Sequence, residues 1–551
     1  MMMRFNFRSV GAVALLGLAA CGDPLSIPNY GSPDVSRVLF DAASVDAAIA
    51  GLGPQLLSPQ RACNLSTQAK ILAEESFASV ANFGMAARSA NRSLVSNEVG
   101  NDLAGSNAAD FQAFQRVQRL AFNPLVAFAS IKAANRNTLT ANQENRMRAF
   151  AYLVAGQALG YAAFVYDSVA VAGEGITTDV VPELSSYTIG GAKAVEFLDS
   201  AVTIAGRGMD ALPSTYISGV TLSQAQFIAL ARGYRARIRA GIARTPTERA
   251  AVNWAAVRDD AAAFSAVFSG DIVIQINGTT NVSAGCDASQ FYVPGGWHSF
   301  PMKFIGVADT SGGYQAWSAT ANSSRRSFVV ATPDTRWPRG ATRTEQQNGG
   351  AGSIVGGALT EIPPAGQYIL NRAPGLDVLI AGDGESQYDH RRYATTRANS
   401  GINGPFTEMS KTEIDMLQAE ALIRLGGAAN ITAAEALIDI SRVRNNLPSV
   451  AGIGTAGVVP GGNACVPKMK NGTCGSLLEA MKYEKRIETA YTGYIQWLVD
   501  SRGWGDLPVN TIIEWPVPFQ EMQARQQPYY NGTRVMSATD VTAATRGNYG
   551  Y

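Results

Sequence analysis

The clearest hydrophobic pattern in this sequence lies between Asn142 and Asp167. Apolar side chains recur there at alternating spacings of four and three residues, at positions 147, 151, 154, 158, 161 and 165. This spacing is typical of a helix with one buried face. Gly156 and Gly160 keep the surface of that helix small, so we expect a second helix to approach it closely.

Weaker patterns of the same kind extend over the segment 44–268, which we predict to be mostly helical. The predicted helices include Gly191–Ala205, Leu222–Arg244 and Thr247–Phe268. After this segment the helical pattern stops and a different texture begins.

The segment 270–404 is rich in glycine, serine, proline and aromatic residues. Only short runs typical of strands occur in it, at Ile272–Ile276 and Ser327–Ala331. A loop-rich insert of this length inside a compact protein is usually either functional or disordered. Its aromatic residues argue against disorder, so we expect it to be ordered and to carry a function.

Helices resume with recognisable caps. Ser410–Glu413 is a capping box that opens a helix ending at Gly426-Gly427, and Thr432–Glu435 is a second box, opening a helix toward Asn445. Together the two span 34 residues, from position 412 to 445, which is the length of a tetratricopeptide unit. A third box, Ser476–Glu479, opens a helix predicted to run to about position 501. We therefore predict an all-α fold, in which tetratricopeptide-like helix pairs form an α-solenoid-like scaffold with one long loop-rich insert.

The amino-terminal residues resemble a bacterial lipoprotein signal. Arg4 and Arg8 precede an apolar run at positions 10–18 that is too short for a permanent membrane span. Leu18-Ala19-Ala20-Cys21 then resembles a lipobox, in which the cysteine is diacylated and becomes the first mature residue. We predict a signal peptide at 1–20, a lipidated tether at 21–40 and a single domain at 41–551.

Charge and cysteine content restrict the function further. Lys plus Arg (45) nearly equals Asp plus Glu (44), so a nucleic-acid partner is not expected.

Four cysteines remain after Cys21, and an even number in an exported protein suggests two disulfides with three possible connectivities. Cys465 and Cys474 bracket the turn dipeptide Asn471-Gly472, which favours pairing them and leaves Cys63 with Cys286.

Several motifs resemble those of the SusD/RagB family of outer-membrane nutrient-binding lipoproteins. The residues that carry the resemblance are Glu413-Ile-Asp-Met-Leu-Gln-Ala-Glu420-Ala, Arg442-Val-Arg444 before Leu447-Pro448, Glu484-Lys-Arg486-Ile-Glu488, Gly493-Tyr494, Trp497, Asp500, Arg502-Gly-Trp504-Gly505, Arg148-Ala-Phe-Ala-Tyr152 and Asp389-His-Arg391. The resemblance implies a lipid-anchored protein exposed at the outer-membrane surface. It also implies a partnership with a TonB-dependent transporter barrel of the SusC-like kind. We expect no cofactor.

The insert supplies the candidate ligand contacts. We predict that an oligosaccharide or a peptide binds to insert residues that carry rings, since flat sugar faces stack on aromatic rings and such rings also anchor peptides. The predicted ligand-binding residues are Tyr292, Trp297, His298, Tyr314, Trp317 and Trp337. The alternative is that each ring packs the insert onto the helices.

The sequence gives only weak signs of catalytic or metal-binding residues. Glu484 and Glu488 interrupt an apolar stripe and could act as acid and base in a lipid-anchored glycoside hydrolase, but ion pairs with Arg442, Arg444 or Arg486 explain them better. His390 beside two arginines fits a packed or ion-paired turn, and we expect no metal site and no catalytic residue.

The glycine pattern at 452–457 matches a dinucleotide fingerprint in spacing, but it lacks the preceding strand and the following helix, so we predict a loop. A non-enzymatic nutrient receptor is the leading hypothesis. A helical-repeat scaffold without a small ligand is a further alternative.

Overall fold

A computed structural model describes most of the chain. The described residues are 39, 41–62, 64–78, 84–89, 92–134, 139–176, 180–276, 298–347, 365–372, 384, 386–398 and 403–541. The predicted signal peptide, Cys21, Cys63, Cys286, Tyr292 and Trp297 lie outside these residues, as does nearly all of the predicted tether.

Helices α1 to α10 precede the insert. Their bounds are Ala42–Ala50, Leu52–Leu57, Leu65–Leu72, Met85–Arg88, Ala104–Ala133, Ala141–Val165, Tyr187–Gly206, Gln224–Gly241, Pro246–Ala250 and Trp254–Ser265. Helices α11 to α14 lie in the insert, at Met302–Ala308, Gly313–Ala319, Arg343–Gln347 and Ala394–Ala398. Helices α15 to α19 follow the insert, at Lys411–Leu425, Ala428–Arg444, Leu477–Thr489, Gln496–Trp504 and Phe519–Ala524. The prediction of a mostly helical fold class is confirmed.

The strands of the described residues are short and pair only in twos. Strands β1 to β10 lie at Phe77–Ala78, Ser168–Ala170, Leu184–Ser186, Leu212–Ile217, Val220–Leu222, Ile272–Ile276, His298–Ser299, Ile369–Asn371, Tyr388–His390 and Gly404–Met409. The antiparallel pairs are β1–β7, β2–β3, β4–β5, β6–β10 and β8–β9. The strand predicted at Ile272–Ile276 is confirmed, whereas no strand forms at Ser327–Ala331.

Helix α6 is the predicted stripe helix and lies in the centre of the hydrophobic core. It packs antiparallel on α7, and a Cβ added at Gly156 would lie 2.8 Å from Leu198 Cγ. A Cβ added at Gly160 would lie 2.5 Å from Cδ1 of Ile238 on α8. The predicted close approach of other helices to these two glycines is therefore confirmed.

The capping predictions are only partly confirmed. Ser410 accepts a hydrogen bond from the Glu413 amide at 3.0 Å, and α15 ends before the glycine pair, as predicted. The next helix, α16, does not begin after Thr432 but immediately after Gly427. Gly427 has a φ of +86°, so it redirects the chain at once and the second helix needs no further linker.

Two predicted helices are each divided in two. The third capping box opens α17 as expected, but the chain leaves the helix after Thr489 and resumes it at Gln496. Left-handed residues, among them Tyr491 and Ile495, lie in this break. The predicted helix at 247–268 is likewise divided into α9 and α10.

The C-terminal helices form a second, smaller core. Met416, Ile438 and Met481 pack in it, one each from α15, α16 and α17. Cys465 lies in the same core and forms a disulfide with Cys474, which confirms the predicted local pairing.

Candidate functional site

Trp337 of the insert lies inside the protein. It has no exposed surface, and its indole N–H donates a hydrogen bond of 2.9 Å to the hydroxyl of Tyr483 on α17. Phe300 and Phe304 pack on the indole with centroid distances of 5.7 and 6.2 Å. Trp337 therefore fastens the insert to the C-terminal helices.

Tyr314 and Trp317 lie one helical turn apart on α12. Their rings stack with a centroid distance of 5.6 Å, and the guanidinium of Arg325 lies 4.3 Å from the centroid of the Trp317 ring. Tyr314 is 1% exposed and Trp317 is 6% exposed. Both rings are therefore buried, and the neighbouring Gln315 side chain donates to the Met469 carbonyl at 3.3 Å.

His298 begins strand β7, where it pairs with Ala78 of β1. Its Nδ1 lies 3.0 Å from the hydroxyl of Ser76, and the side chain is buried. Burial, with the charges of Arg372 and Lys70, lowers the pKa of His298 to about 3, so the ring is neutral at physiological pH.

The four predicted ligand-binding residues that the structure describes are thus buried, as the packing alternative predicts for rings that fasten the insert. The remaining two, Tyr292 and Trp297, lie outside the described residues. Ligand binding by this set of six stays a prediction.

Glu484 and Glu488 lie in a buried charge cluster that joins α17 to the insert. Arg336 of the insert reaches both carboxylates, at 2.9 Å from Glu484 and 3.1 Å from Glu488. The same guanidinium binds Asp334 at 2.7 Å. Three carboxylates therefore share one buried arginine at the base of the insert.

Arginines on α16 complete this cluster. Arg442 lies 3.7 Å from Glu484, and Arg444 lies 3.2 Å from Glu488, as predicted. The third predicted partner, Arg486, instead binds Asp506 at 2.8 Å. The ion-pair interpretation of the two glutamates is confirmed, with Arg336 as a partner that sequence analysis missed.

The electrostatics of the two glutamates differ. Burial raises the pKa of Glu484 despite the neighbouring Arg336 and Arg442. Burial also acts on Glu488, but the charges of Arg336, Arg392 and Arg444 outweigh it and lower the pKa of that carboxyl. In this conformation neither carboxylate reaches the surface, because the two residues are 0% and 3% exposed. A glycosidic bond cannot reach them in this arrangement.

An open cleft lies between α6 and α7, and sequence analysis did not find it. Its volume is about 470 Å³, and no residue of the segment 270–404 lines it. The lining residues are Asn145, Arg148, Tyr152, Glu174, Asp199, Ser200, Thr203, Ile204 and Arg207. The sequence offered no distinct signal, since polar residues occupy the whole amino-terminal part of α6 at 142–146, and the facing residues on α7 are far away in sequence.

The glycine pattern at 452–457 forms a loop, as predicted. The amides of Gly452 and Gly454 donate to the carboxylate of Glu435, at 2.9 and 2.7 Å. A protein side chain thus occupies the backbone amides that a phosphate would need.

Comparison with solved structures identifies the fold. The chain is similar to a SusD-like protein from Bacteroides fragilis, with a TM-score of 0.51, 12% identity and coverage of 86% of this chain and 88% of the other. A SusD superfamily protein from Bacteroides vulgatus gives 0.52 and 14%, with coverage of 88% and 90%. A SusD-like carbohydrate-binding protein from Bacteroides fragilis gives 0.50 and 13%, with coverage of 92% and 97%.

The chain has the SusD-like fold. No protein-family model matches the sequence, and no curated protein matches it. The likeness is therefore one of architecture, carried by the order and packing of the helices.

In this SusD-like fold, the charged motif residues of the C-terminal third mostly form buried ion pairs that join different helices. Glu413 on α15 binds Arg237 on α8 at 2.7 Å, and Glu420 binds Arg249 on α9 at 2.6 Å. Asp500 on α18 also binds Arg249, at 3.0 Å. These charges hold neighbouring helix pairs in register.

Within the described ranges, no group of three or more His, Cys, Asp or Glu side chains is placed to hold a metal ion. In that same part of the chain, no helix combines the length and the apolar composition needed to cross a bilayer.

Proposed function

We propose that this chain is a lipid-anchored receptor at the outer-membrane surface that binds an oligosaccharide and delivers it to a TonB-dependent transporter. The observation that carries the proposal is the SusD-like fold, which extends over most of the chain. One of the similar structures is described as carbohydrate-binding. The lipobox at Cys21 supports the anchor, and a peptide is the competing ligand.

The anchoring of the insert supports a receptor with a rigid base. Arg336 and Trp337 fix the insert to α17 through an ion-pair cluster and an indole hydrogen bond. A preformed support lowers the entropic cost of ligand binding. We propose that the ligand is held by the insert, with Tyr292 and Trp297 as the aromatic contacts to test first.

Binding by the full-length lipoprotein in detergent tests the proposal. A panel of oligosaccharides and short peptides is titrated by calorimetry up to millimolar concentration. We expect at least one oligosaccharide to bind, with affinity reduced at least tenfold in Trp297→Ala. Tyr529→Ala, which removes an exposed ring outside the insert, is the matched control and should bind normally.

Three results contradict the proposal. A panel without any binder argues against a receptor, and a binder found only among peptides argues against a saccharide. Shortened products after incubation, lost in Glu484→Gln, would instead make the chain a hydrolase.

Delivery to a transporter needs a separate test. Native membranes are solubilised in mild detergent, the lipoprotein is purified, and associated proteins are identified by mass spectrometry. We expect a large barrel with a plug domain in stoichiometric amount. Purification with many other proteins but no such barrel favours the scaffold alternative.

A further inference from the structure

We infer that the open cleft between α6 and α7 is a second binding site, and that its ligand is a neutral saccharide. The cleft is built without any residue of the segment 270–404. Its ligand class follows from its own side chains, so the inference and the proposed capture by the insert can fail separately.

The cleft is framed by two facing rows of side chains. Asn145, Arg148 and Tyr152 follow one another on α6 at spacings of three and four, which places them on one face of the helix. Asp199, Thr203 and Arg207 follow at spacings of four on α7 and at its C-cap. The volume of about 470 Å³ lies within the range of about 300–1,000 Å³ usual for small-molecule sites.

One wall of the cleft is held in place before any ligand arrives. Arg148 binds Glu144 at 3.0 Å and Glu174 at 2.9 Å. Tyr152 donates its hydroxyl hydrogen to Glu174 at 2.8 Å. Burial and this hydrogen bond raise the pKa of Tyr152 to about 12, so the hydroxyl keeps its proton at physiological pH.

The ring of Tyr152 is also fixed. It packs edge-to-face on Phe122, with a centroid distance of 5.3 Å, and on Phe197, at 6.1 Å. The ring and the half-buried side chain of Ile204 provide the apolar part of the lining. Sugars present apolar C–H faces of the kind that pack on such a surface.

Further lining residues, on both sides of the cleft, offer hydrogen-bonding groups that the protein leaves for a ligand. Arg207 is exposed and makes no ion pair with any residue that the structure describes. The hydroxyl of Thr203 makes no hydrogen bond within the same ranges. Asn145 uses its Nδ2 to donate to the Gly208 carbonyl at 2.8 Å, which leaves Oδ1 as an acceptor facing the same region.

The charge balance of the lining selects the ligand class. Two guanidiniums, Arg148 and Arg207, and two carboxylates, Glu174 and Asp199, line the cleft, and Asp199 also pairs with Arg235 of α8. A fixed anion would meet both carboxylates, and a fixed cation would meet both guanidiniums. A sugar hydroxyl both donates and accepts, so it can use donors and acceptors that alternate over a short distance. A neutral saccharide fits this lining better than a phosphate, a sulfated glycan or an amine.

A blocking substitution in the full-length protein tests the inference. Thr203→Trp fills the cleft from an exposed helix position, and Thr432→Trp places the same side chain on the exposed face of α16 as its control. Arg207→Ala removes the available guanidinium, and its control is Arg116→Ala, an exposed arginine on α5. Circular dichroism and thermal denaturation confirm that each variant is folded.

Calorimetric titration then uses neutral oligosaccharides of several linkages, acidic saccharides and short peptides. We expect a neutral saccharide to bind the native chain, Thr203→Trp to weaken binding at the cleft at least tenfold while leaving the binding that depends on Trp297, and Arg207→Ala to weaken the cleft binding several-fold. Both controls should stay within twofold of the native affinity.

Each other outcome overturns one proposal or both. If neutral-saccharide binding survives Thr203→Trp but is lost in Trp297→Ala, the cleft is not a binding site and the insert is the only site of the two. If binding is lost in Thr203→Trp but normal in Trp297→Ala, the cleft is the binding site and the proposed capture by the insert is wrong. Binding of acidic saccharides or peptides alone contradicts the cleft's ligand class, and no binding at all contradicts both proposals.

Discussion

At the scale of single residues, arginine carries much of the buried charge of this protein. Arg249, Arg336 and Arg502 are among its largest fully buried side chains. Arg502 donates to the backbone carbonyls of Phe164, Ile513 and Gly241, which belong to three separate segments. A guanidinium has five N–H donors in a fixed plane, so one side chain can satisfy acceptors from several segments at once.

Arg336→Met should therefore be strongly destabilising. The substitution keeps an apolar side chain of similar length but leaves Asp334, Glu484 and Glu488 without their shared cation in a buried place. Breaking a buried ion pair by removing one partner costs about 3–5 kcal/mol. Urea denaturation measures the loss, and Arg326→Met, an exposed neighbour in the insert, should leave the free energy of unfolding nearly unchanged. A loss below about 1 kcal/mol would contradict the importance of the cluster.

The two buried histidines predict a fall in stability in weak acid. Burial, followed by nearby arginine or lysine charges, lowers the pKa of both His298 and His390 below the ordinary value of 6.5. Below pH 6.5 the two histidines bind protons in the unfolded chain but stay neutral in the folded chain. Acid therefore favours unfolding. The free energy of unfolding should fall by up to about 1.4 kcal/mol per pH unit for each histidine.

Urea denaturation between pH 7.5 and 5 checks this sign. Most of the slope should disappear in the double variant His298→Gln, His390→Gln, whatever its stability at pH 7.5. A native curve that is flat from pH 7 to 5 would refute the prediction, because few carboxylates titrate in that window.

At the scale of elements, local sequence predicted where helices form better than where they begin or end. The stripe of α6 and the cap at Ser410 were sufficient because both depend on neighbours within four residues. The helix start predicted at Thr432 was wrong, because the carboxylate of Glu435 does not complete a capping box. It accepts hydrogen bonds from the amides of Gly452 and Gly454, which lie in a loop beyond the helix.

The break between α17 and α18 could not be predicted for a similar reason. The amide of Tyr491 donates to a carboxylate oxygen of Glu75 at 2.5 Å, and that partner is 416 residues away in the chain. Gly493 has a φ of +54°, and a Cβ there would lie 3.2 Å from the Glu408 carbonyl oxygen. No periodic pattern within the helix records these contacts.

Two alanine substitutions distinguish the observed helix start from the predicted one. Ser410→Ala should cost about 1 kcal/mol of stability, since it removes the side-chain acceptor for the Glu413 amide. Thr432→Ala, made four residues inside α16 at an exposed position, should cost nothing measurable or stabilise slightly. Thermal denaturation of the pair decides the matter, and equal losses would mean that Thr432 is a cap after all.

At the scale of the whole molecule, the sequence was sufficient for the fold class but not for the site. Caps and stripes repeat many times, so errors at single boundaries leave the helical architecture unchanged. The candidate cleft depends instead on residues from two helices that face each other, such as Arg148 and Arg207. The burial of Trp337 depends on α17, which lies far beyond the insert in the chain.

The proposed anchor makes a prediction for the complete protein. Cells fed an alkyne-tagged palmitate should transfer the tag to the native chain, because Cys21 follows a lipobox. Cys21→Ala should remove the tag and release the protein from the outer-membrane fraction. Cys63→Ala, which removes a cysteine outside the lipobox, should keep the tag, and a tag that persists in Cys21→Ala would exclude this anchor.

The bond between Arg336 and Glu488 also has a consequence for biogenesis, because its partners lie 152 residues apart. Ribosomes release a polypeptide from its amino end, so the cation emerges long before the two glutamates that help to neutralise it. A truncated product that stops before residue 484 retains the arginine and loses both glutamates. Attachment of the 270–404 stretch through this cluster must therefore wait for the carboxyl-terminal helices, and a nascent chain stalled earlier offers proteases an unattached loop.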